Sequence, residues 1–254
     1  MVTARAFGAG TALDSYLVAF LLPSFLTDVF CGALVPALVP ALMELDHRKG
    51  RLGVTALYDR IMNLCLVCSL GASALLAAGA IAAARREHLR MAANLVLLMI
   101  PILPFTAVAN VWRAVLNAQR RFAAPAAAAA LTPLVIVLSV LVGFRAAGIW
   151  ALAAGTSVGA LAEVAFLAAA MGREGFPILP RWTRSTTHMG SLPKEYGYLA
   201  ATAAVSAGGF FIGQAMAASA GTGSVSIFNY GTRLQSMLLA IGPAALSVTA
   251  LPHF

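Results

Sequence analysis

A run of roughly 28 largely apolar residues, from Tyr16 to Met43, constrains this chain more than any other stretch. At about 1.5 Å per residue it is long enough to cross a hydrocarbon core of about 30 Å. Pro23, Pro36 and Pro40 interrupt it. Each proline removes a backbone donor, and a helix facing lipid has no water to make up the loss. Such kinks belong beside a protein-lined cavity. Ahead of the run, Gly8-Ala9-Gly10 breaks the chain, and Asp14 and Ser15 carry side-chain oxygens suited to an N-cap. Ala4–Phe7 reads as the tail of an earlier apolar helix, so the chain is expected to begin part-way through its first helix.

Composition extends this reading to the whole chain. Of 254 residues, 61% are hydrophobic and only 10% charged, with a mean hydropathy of +0.87. A soluble domain has too much surface for that. The expected class is all-α, a polytopic transmembrane helical bundle. The net charge of +8 is scattered between apolar spans rather than gathered on one face, which excludes a nucleic-acid binder. Further spans are expected at about Thr55–Ala84, Met91–Asn117, Ala123–Phe144, Gly148–Met171, Tyr196–Ala220 and Ser224–Leu251. Glu44–Arg51 reads as an aqueous turn and Arg85–Arg90 as a second polar loop. Asp59 and Arg60 are placed at headgroup level, and Trp112 at an interface beside arginines. Pro101 and Pro104 kink the fourth span, while Gly155 and Gly159 have the spacing of close helix packing. Arg173–Lys194 is the one long polar connector.

Two charged residues lie deep in apolar spans. Glu163 should face a cavity or enter an ion pair, because an intramembrane carboxylate is costly. Arg233, about ten residues into the last span, costs about 2.5–3.5 kcal/mol on insertion scales and should also face a cavity. Asp14 or Glu163 could partner it in an ion pair. An enzyme is not indicated. His47, His88, His188 and His253 are dispersed, none pairs with a carboxylate or cysteine at ligand spacing, and there is no phosphate-binding loop. No catalytic residue, metal or cofactor is expected. Cys31, Cys65 and Cys68 all lie in apolar spans and read as small apolar side chains.

Several motifs carry a resemblance. They are FGAG (7–10), Asp14, VAFLLPS (18–24), Gly32-Ala33 leading into Val35-Pro36-Ala37-Leu38, Leu116-Asn117 with Arg121-Phe122, and FPILPRW (176–182). GTGSVSIFNYGTRLQSMLLAIGPAALSVTALP (221–252) is the sharpest. Together they resemble the lipid II flippase family (MurJ/MviN) of the multidrug/oligosaccharidyl-lipid/polysaccharide exporter superfamily. The resemblance implies a two-lobed exporter, of which this chain is an N-terminal portion. Residues 1–172 would be the first transmembrane lobe with a truncated first helix, 173–194 an interfacial linker, and 195–254 helices seven and eight, the start of the second lobe. It implies a multi-pass protein of the bacterial inner membrane, moving lipid-linked peptidoglycan precursor by alternating access. The partners it implies are a lipid-linked oligosaccharide diphosphate, membrane lipids, and either the second lobe or a second copy. Arg233, Asp14 and Ser24 would line the cargo cavity, with Glu163 and Arg5 as cavity residues or members of an ion pair. The chain departs from the family pattern at Thr27 and Asp28, where basic residues are usual, and at Cys31 and Ser236, where glutamates are usual. Another exporter of the superfamily, for polysaccharide precursors or drugs, and an inactive truncated fragment are the alternatives.

Orientation follows from counting cations. One side holds Arg48, Lys49, Arg51, Arg60, Arg113, Arg120, Arg121, Arg173, Arg181, Arg184 and Lys194. The other holds Arg5, Arg85, Arg86, Arg90 and Arg145. Eleven against five places the end of the second helix in the cytoplasm.

Overall fold

The computed structural model describes residues 7–8, 10–178, 180–181 and 192–250, with side chains at all of these but 88, 144, 145 and 240–250. Among the described residues every regular element is helical. They are α1 (Thr11–Gly32), α2 (Leu34–Ala84), a 3-10 turn (Glu87–Leu89), α3 (Arg90–Met99), α4 (Ile102–Ala118), α5 (Ala123–Ala147), α6 (Ile149–Arg173), α7 (Leu192–Ser219) and α8 (Ser224–Ala250). Five helical stretches among them are long and apolar enough to cross a membrane by length and composition. The expected all-α bundle is what forms.

Its beginning differs from expectation. α1 starts at Thr11 behind Gly10, so neither Asp14 nor Ser15 caps it; the Ser15 hydroxyl donates to the Thr11 carbonyl at 2.8 Å. Gly10 adopts extended backbone there and frees the two oxygen-bearing residues to sit inside the first turn. The Tyr16–Met43 run is divided at Ala33, and its second half continues as helix into the charged segment. The turn expected in Glu44–Arg51 is present but tight: helix runs up to it, with Arg48 and Glu44 paired along one exposed face at 2.8 Å. One residue reverses the chain: Gly50, at φ 60 and ψ −161, which lies outside the range a side chain accepts easily. Beyond it Leu38 and Leu42 of the first arm share a core with Val54, Leu57, Tyr58 and Ile61 of the second.

α5 and α6 pack closely. A Cβ on Gly155 would lie 2.7 Å from the Ser139 Cβ, and one on Gly159 would lie 3.1 Å from the Thr132 backbone. The glycine spacing read in the sequence brings these two backbones together, as small residues do between membrane helices.

Buried apolar residues form two clusters, one toward each end. Leu13, Tyr16 and Leu17 meet Leu95, Met99, Val140, Ile149 and Val225 at one. Both arms of α2, with α4 and the far end of α6, make the other. At this second end the turns converge on Glu174. Its carbonyl accepts from Arg51 Nη2 at 2.6 Å, its carboxylate pairs with Arg121 Nε at 3.0 Å, and the Arg51 guanidinium lies 4.8 Å from the Phe176 ring centre. The basic turns around Arg48–Arg51, Arg120–Arg121 and Arg173 thus share one end of the bundle, the end that the positive-inside rule assigns to the cytoplasm.

The connector after α6 is strapped to α2. The Tyr58 hydroxyl donates to the Ile178 carbonyl (3.2 Å), Asn63 Nδ2 donates to the Arg181 carbonyl (3.1 Å), and the Arg181 N–H donates to Asp59 Oδ1 (3.1 Å). Asp59 is consequently buried against the connector, where a backbone donor replaces water. Trp112 is likewise buried, its indole N–H donating to the Tyr58 hydroxyl at 3.0 Å. The rest of the connector, with Trp182 and Arg184, lies outside the described residues.

Candidate functional site

The site begins with a carboxylate serving a helix other than its own. Asp14 lies in the first turn of α1, where the partial positive charge of a helix N-terminus favours an anion. Its Oδ1 accepts from the Ser226 N–H at 2.9 Å and the Ser226 hydroxyl at 2.6 Å, and its Oδ2 accepts from the Gly223 N–H. Gly223 and Ser226 open α8, whose first amides have no intrahelical acceptors. Asp14 therefore caps α8 from across the bundle, between two helix N-termini. Two further contacts tighten this junction. The Tyr230 hydroxyl donates to the Gly8 carbonyl at 3.2 Å, and Val225 is buried against the start of α1.

Arg233 lies on α8 nine residues beyond Ser224, about 13 Å along the helix from that junction. Its charge reaches Tyr16 of α1 and Tyr230 on its own helix. It is exposed and, among the described residues, makes no ion pair. Neither Asp14 nor Glu163 takes the role of partner.

Ser24 follows Pro23 on α1 and lines a cavity of about 350 Å³ between α1 and α7. Asp28, one turn further on the same face, shares the cavity, as does Ser206 from α7. Phe25 and Phe211 close one wall, their ring centres 5.4 Å apart. The Thr27 hydroxyl is spent on the Pro23 carbonyl at 2.8 Å, and Ser236 on Thr232 at 2.8 Å, so neither replaces the charged residues usual at those positions. The cavity lining thus carries one carboxylate and two hydroxyls, and Arg233 of α8 is not part of it.

Glu163 sits elsewhere, in the core between α4, α5 and α6. Its Oε1 accepts from Arg113 Nη2, and its Oε2 accepts from the Thr132 hydroxyl at 2.9 Å. Arg113 Nη1 also donates to Asn110 Oδ1 at 3.3 Å. Of the two roles open to Glu163 in the sequence, the ion pair is the one that forms. Arg5 lies outside the described residues. Reasoning from sequence missed Arg113 as the partner of Glu163, Asp28 as a cavity residue, and Ser226 as the group Asp14 reaches. Helical spacing was the available signal for the first two: Asn110 and Arg113 stand three apart, and Ser24 and Asp28 four apart, each on one face of an apolar helix. No local spacing signals the third, whose residues are 212 positions apart.

Comparison with known proteins places this geometry. Two curated relatives align over nearly the whole chain. "Lipid II flippase MurJ" of Burkholderia cenocepacia is 28% identical over 267 residues, covering 98% of this chain and 51% of the relative. "Probable lipid II flippase MurJ" of Thermotoga maritima is 27% identical over 260 residues, covering 99% and 52%. A solved structure described as "Lipid II flippase MurJ, inward closed conformation" superposes with a TM-score of 0.79 at 20% identity, over 98% of this chain and 54% of that one, and shows the same fold. The chain spans about half the length of the curated relatives it matches. The family model described as "Lipid II flippase MurJ" matches residues 3–254, and with α1, α7 and α8 meeting as they do here, the chain belongs to that family.

Proposed function

We propose that this chain forms the first lobe, and the opening two helices of the second, of a flippase that carries lipid II across the bacterial inner membrane by alternating access. The observation that carries the reading is the tie between Asp14 and the start of α8. It joins the lobes at the end opposite the basic turns and leaves the space beneath it to the cytoplasmic side. Cargo enters there with its lipid tail in the bilayer. Its diphosphate needs a cation that stays charged at low dielectric and can fork onto two oxygens, and arginine meets both demands. Arg233, without a carboxylate partner among the described residues, is that cation, and Ser24 adds a hydroxyl from the neighbouring α1–α7 cavity. Outward opening breaks the Asp14 tie, which returns the α8 amides and the carboxylate to water. Rocking needs a second body, supplied either by further residues of the polypeptide or by a second copy.

One observation favours a second reading. Asp28 puts a negative charge into the α1–α7 cavity, where it repels a diphosphate and attracts a cation. An exporter of cationic amphiphiles would use it. The two readings separate in cells depleted of their own lipid II flippase that express this chain joined to a second lobe. Under the flippase reading Arg233→Ala abolishes growth at unchanged protein level, and Asp28→Ala does not. Growth of Arg233→Ala at the wild-type rate refutes it. The export reading requires a resistance phenotype that Asp28→Ala removes, and fails without one.

A further inference from the structure

Two helix ends at the basic face close with one hydrogen-bond pattern. After α4 the Arg121 N–H donates to the Leu116 carbonyl (2.8 Å) and the Arg120 N–H to the Asn117 carbonyl (3.0 Å). After α6 the Phe176 N–H donates to the Met171 carbonyl and the Gly175 N–H to the Gly172 carbonyl, both at 3.1 Å. This closure places its fifth residue in the left-handed region, where glycine is favoured. α6 uses Gly175, at φ 70. α4 uses Arg120, at φ 59, the one non-glycine residue with positive φ among those described.

Between these ends lies a cavity of about 540 Å³. Arg120, Arg121, Arg173 and Glu174 line it, together with Phe122 and Phe166. Glu174 neutralises Arg121. Arg120 and Arg173 are exposed and make no ion pair among the described residues, which leaves the cavity with two uncompensated cations. Phe122 is 62% exposed and Phe166 40%, so an apolar wall adjoins the cationic groups. A free phosphate would satisfy the arginines and leave that wall wet. A molecule with a phosphate head and an acyl chain satisfies both, and a basic pocket between helices at the cytoplasmic interface is the setting in which such headgroups bind.

The geometry points to a binding site for an anionic phospholipid of the cytoplasmic leaflet, its phosphate held by Arg120 and Arg173 and its chain lying along Phe122 and Phe166. The site is built by α4, α5 and α6 and is separate from the cavity beside α7 and α8.

Native mass spectrometry of the whole chain, released from nanodiscs of phosphatidylglycerol and phosphatidylcholine with matched acyl chains, tests this. The wild type retains phosphatidylglycerol preferentially. A cation near an anionic lipid surface contributes about fivefold, so Arg120→Gly with Arg173→Gln lowers that preference on the order of 25-fold. Glycine is the residue the turn after α4 prefers, so the loss does not come from misfolding. Glu174→Gln frees Arg121 and raises retention by up to about fivefold, a gain that no damaged fold produces. Arg48→Gln with Lys49→Gln removes two cations from the same end that do not line the cavity, and leaves the preference within about twofold, because solvent-exposed charges outside the pocket are screened by salt. The proposal is overturned by a wild type with no preference, by an unchanged Arg120→Gly, Arg173→Gln variant, or by an equal loss in the Arg48, Lys49 control. Competition by soluble glycerol 3-phosphate that matches the lipid would overturn it too, assigning the site to free phosphate.

Discussion

Replacing Glu163 by leucine strands Arg113 in the core. Glu163 is 9% exposed and accepts from Arg113 and Thr132 together. Once it is gone, the Asn110 amide oxygen is the one acceptor left to the guanidinium, and Arg113 Nε is already buried without a partner. Removing one member of a buried pair costs about 3–5 kcal/mol, since the other charge keeps its desolvation penalty and loses its compensation. For a chain of this length that corresponds to a fall in melting midpoint of roughly 6–20 °C. The double variant Glu163→Leu, Arg113→Met removes both charges and fills a similar volume. It should recover the midpoint to within about 4 °C of the wild type, because an apolar replacement of a whole pair is near neutral. Unfolding can be followed in detergent with a thiol-reactive fluorophore, using the buried Cys31 as reporter after Cys65→Ser and Cys68→Ser. A Glu163→Leu midpoint within about 2 °C of the wild type, or a double variant no better than the single, would refute the assignment of the pair to the core.

The other expectations concern helix contacts. Gly159→Leu drives a side chain into the Thr132 backbone, only 3.1 Å from where its Cβ would stand, and should cost at least the 1–3 kcal/mol typical of overpacking, read as a lowered midpoint. Asp14→Ala removes the cap of α8, at about 0.5–2 kcal/mol, and opens the end opposite the basic turns. A cysteine placed at Ser24 should then react faster with a membrane-impermeant thiol reagent from outside, and an unchanged rate counts against the gate. Tyr58→Phe leaves the Trp112 indole N–H and the Ile178 carbonyl without their shared hydroxyl, at about 1–3 kcal/mol. Limited proteolysis should cut the connector near Ile178 sooner in that variant than in the wild type.

The sequence by itself determined the class and most of the helical stretches long and apolar enough to cross a membrane. Length and apolarity settle those locally: a stretch such as Ala123–Ala147 has to form its hydrogen bonds within itself wherever it lies. Glycine spacing at Gly155 and Gly159 was also legible, since close approach depends on what a residue lacks. The tertiary structure decided which polar groups meet. Asp14 looked like the cap of its own helix and caps α8 instead, and Glu163 had Arg113 rather than Arg233 for a partner. Asp59 is covered by the connector from α6, whose Arg181 N–H donates to it from 122 positions away. The charged turn read at Glu44–Arg51 is there, but the structure narrowed it to Gly50, with helix carrying Glu44 and Arg48 up to it. Each of these turned on a residue distant in sequence or on a single dihedral. Hydrophobic burial constrains spans through composition, but a buried hydrogen bond or ion pair forms only where folding has already brought its two ends within about 3 Å.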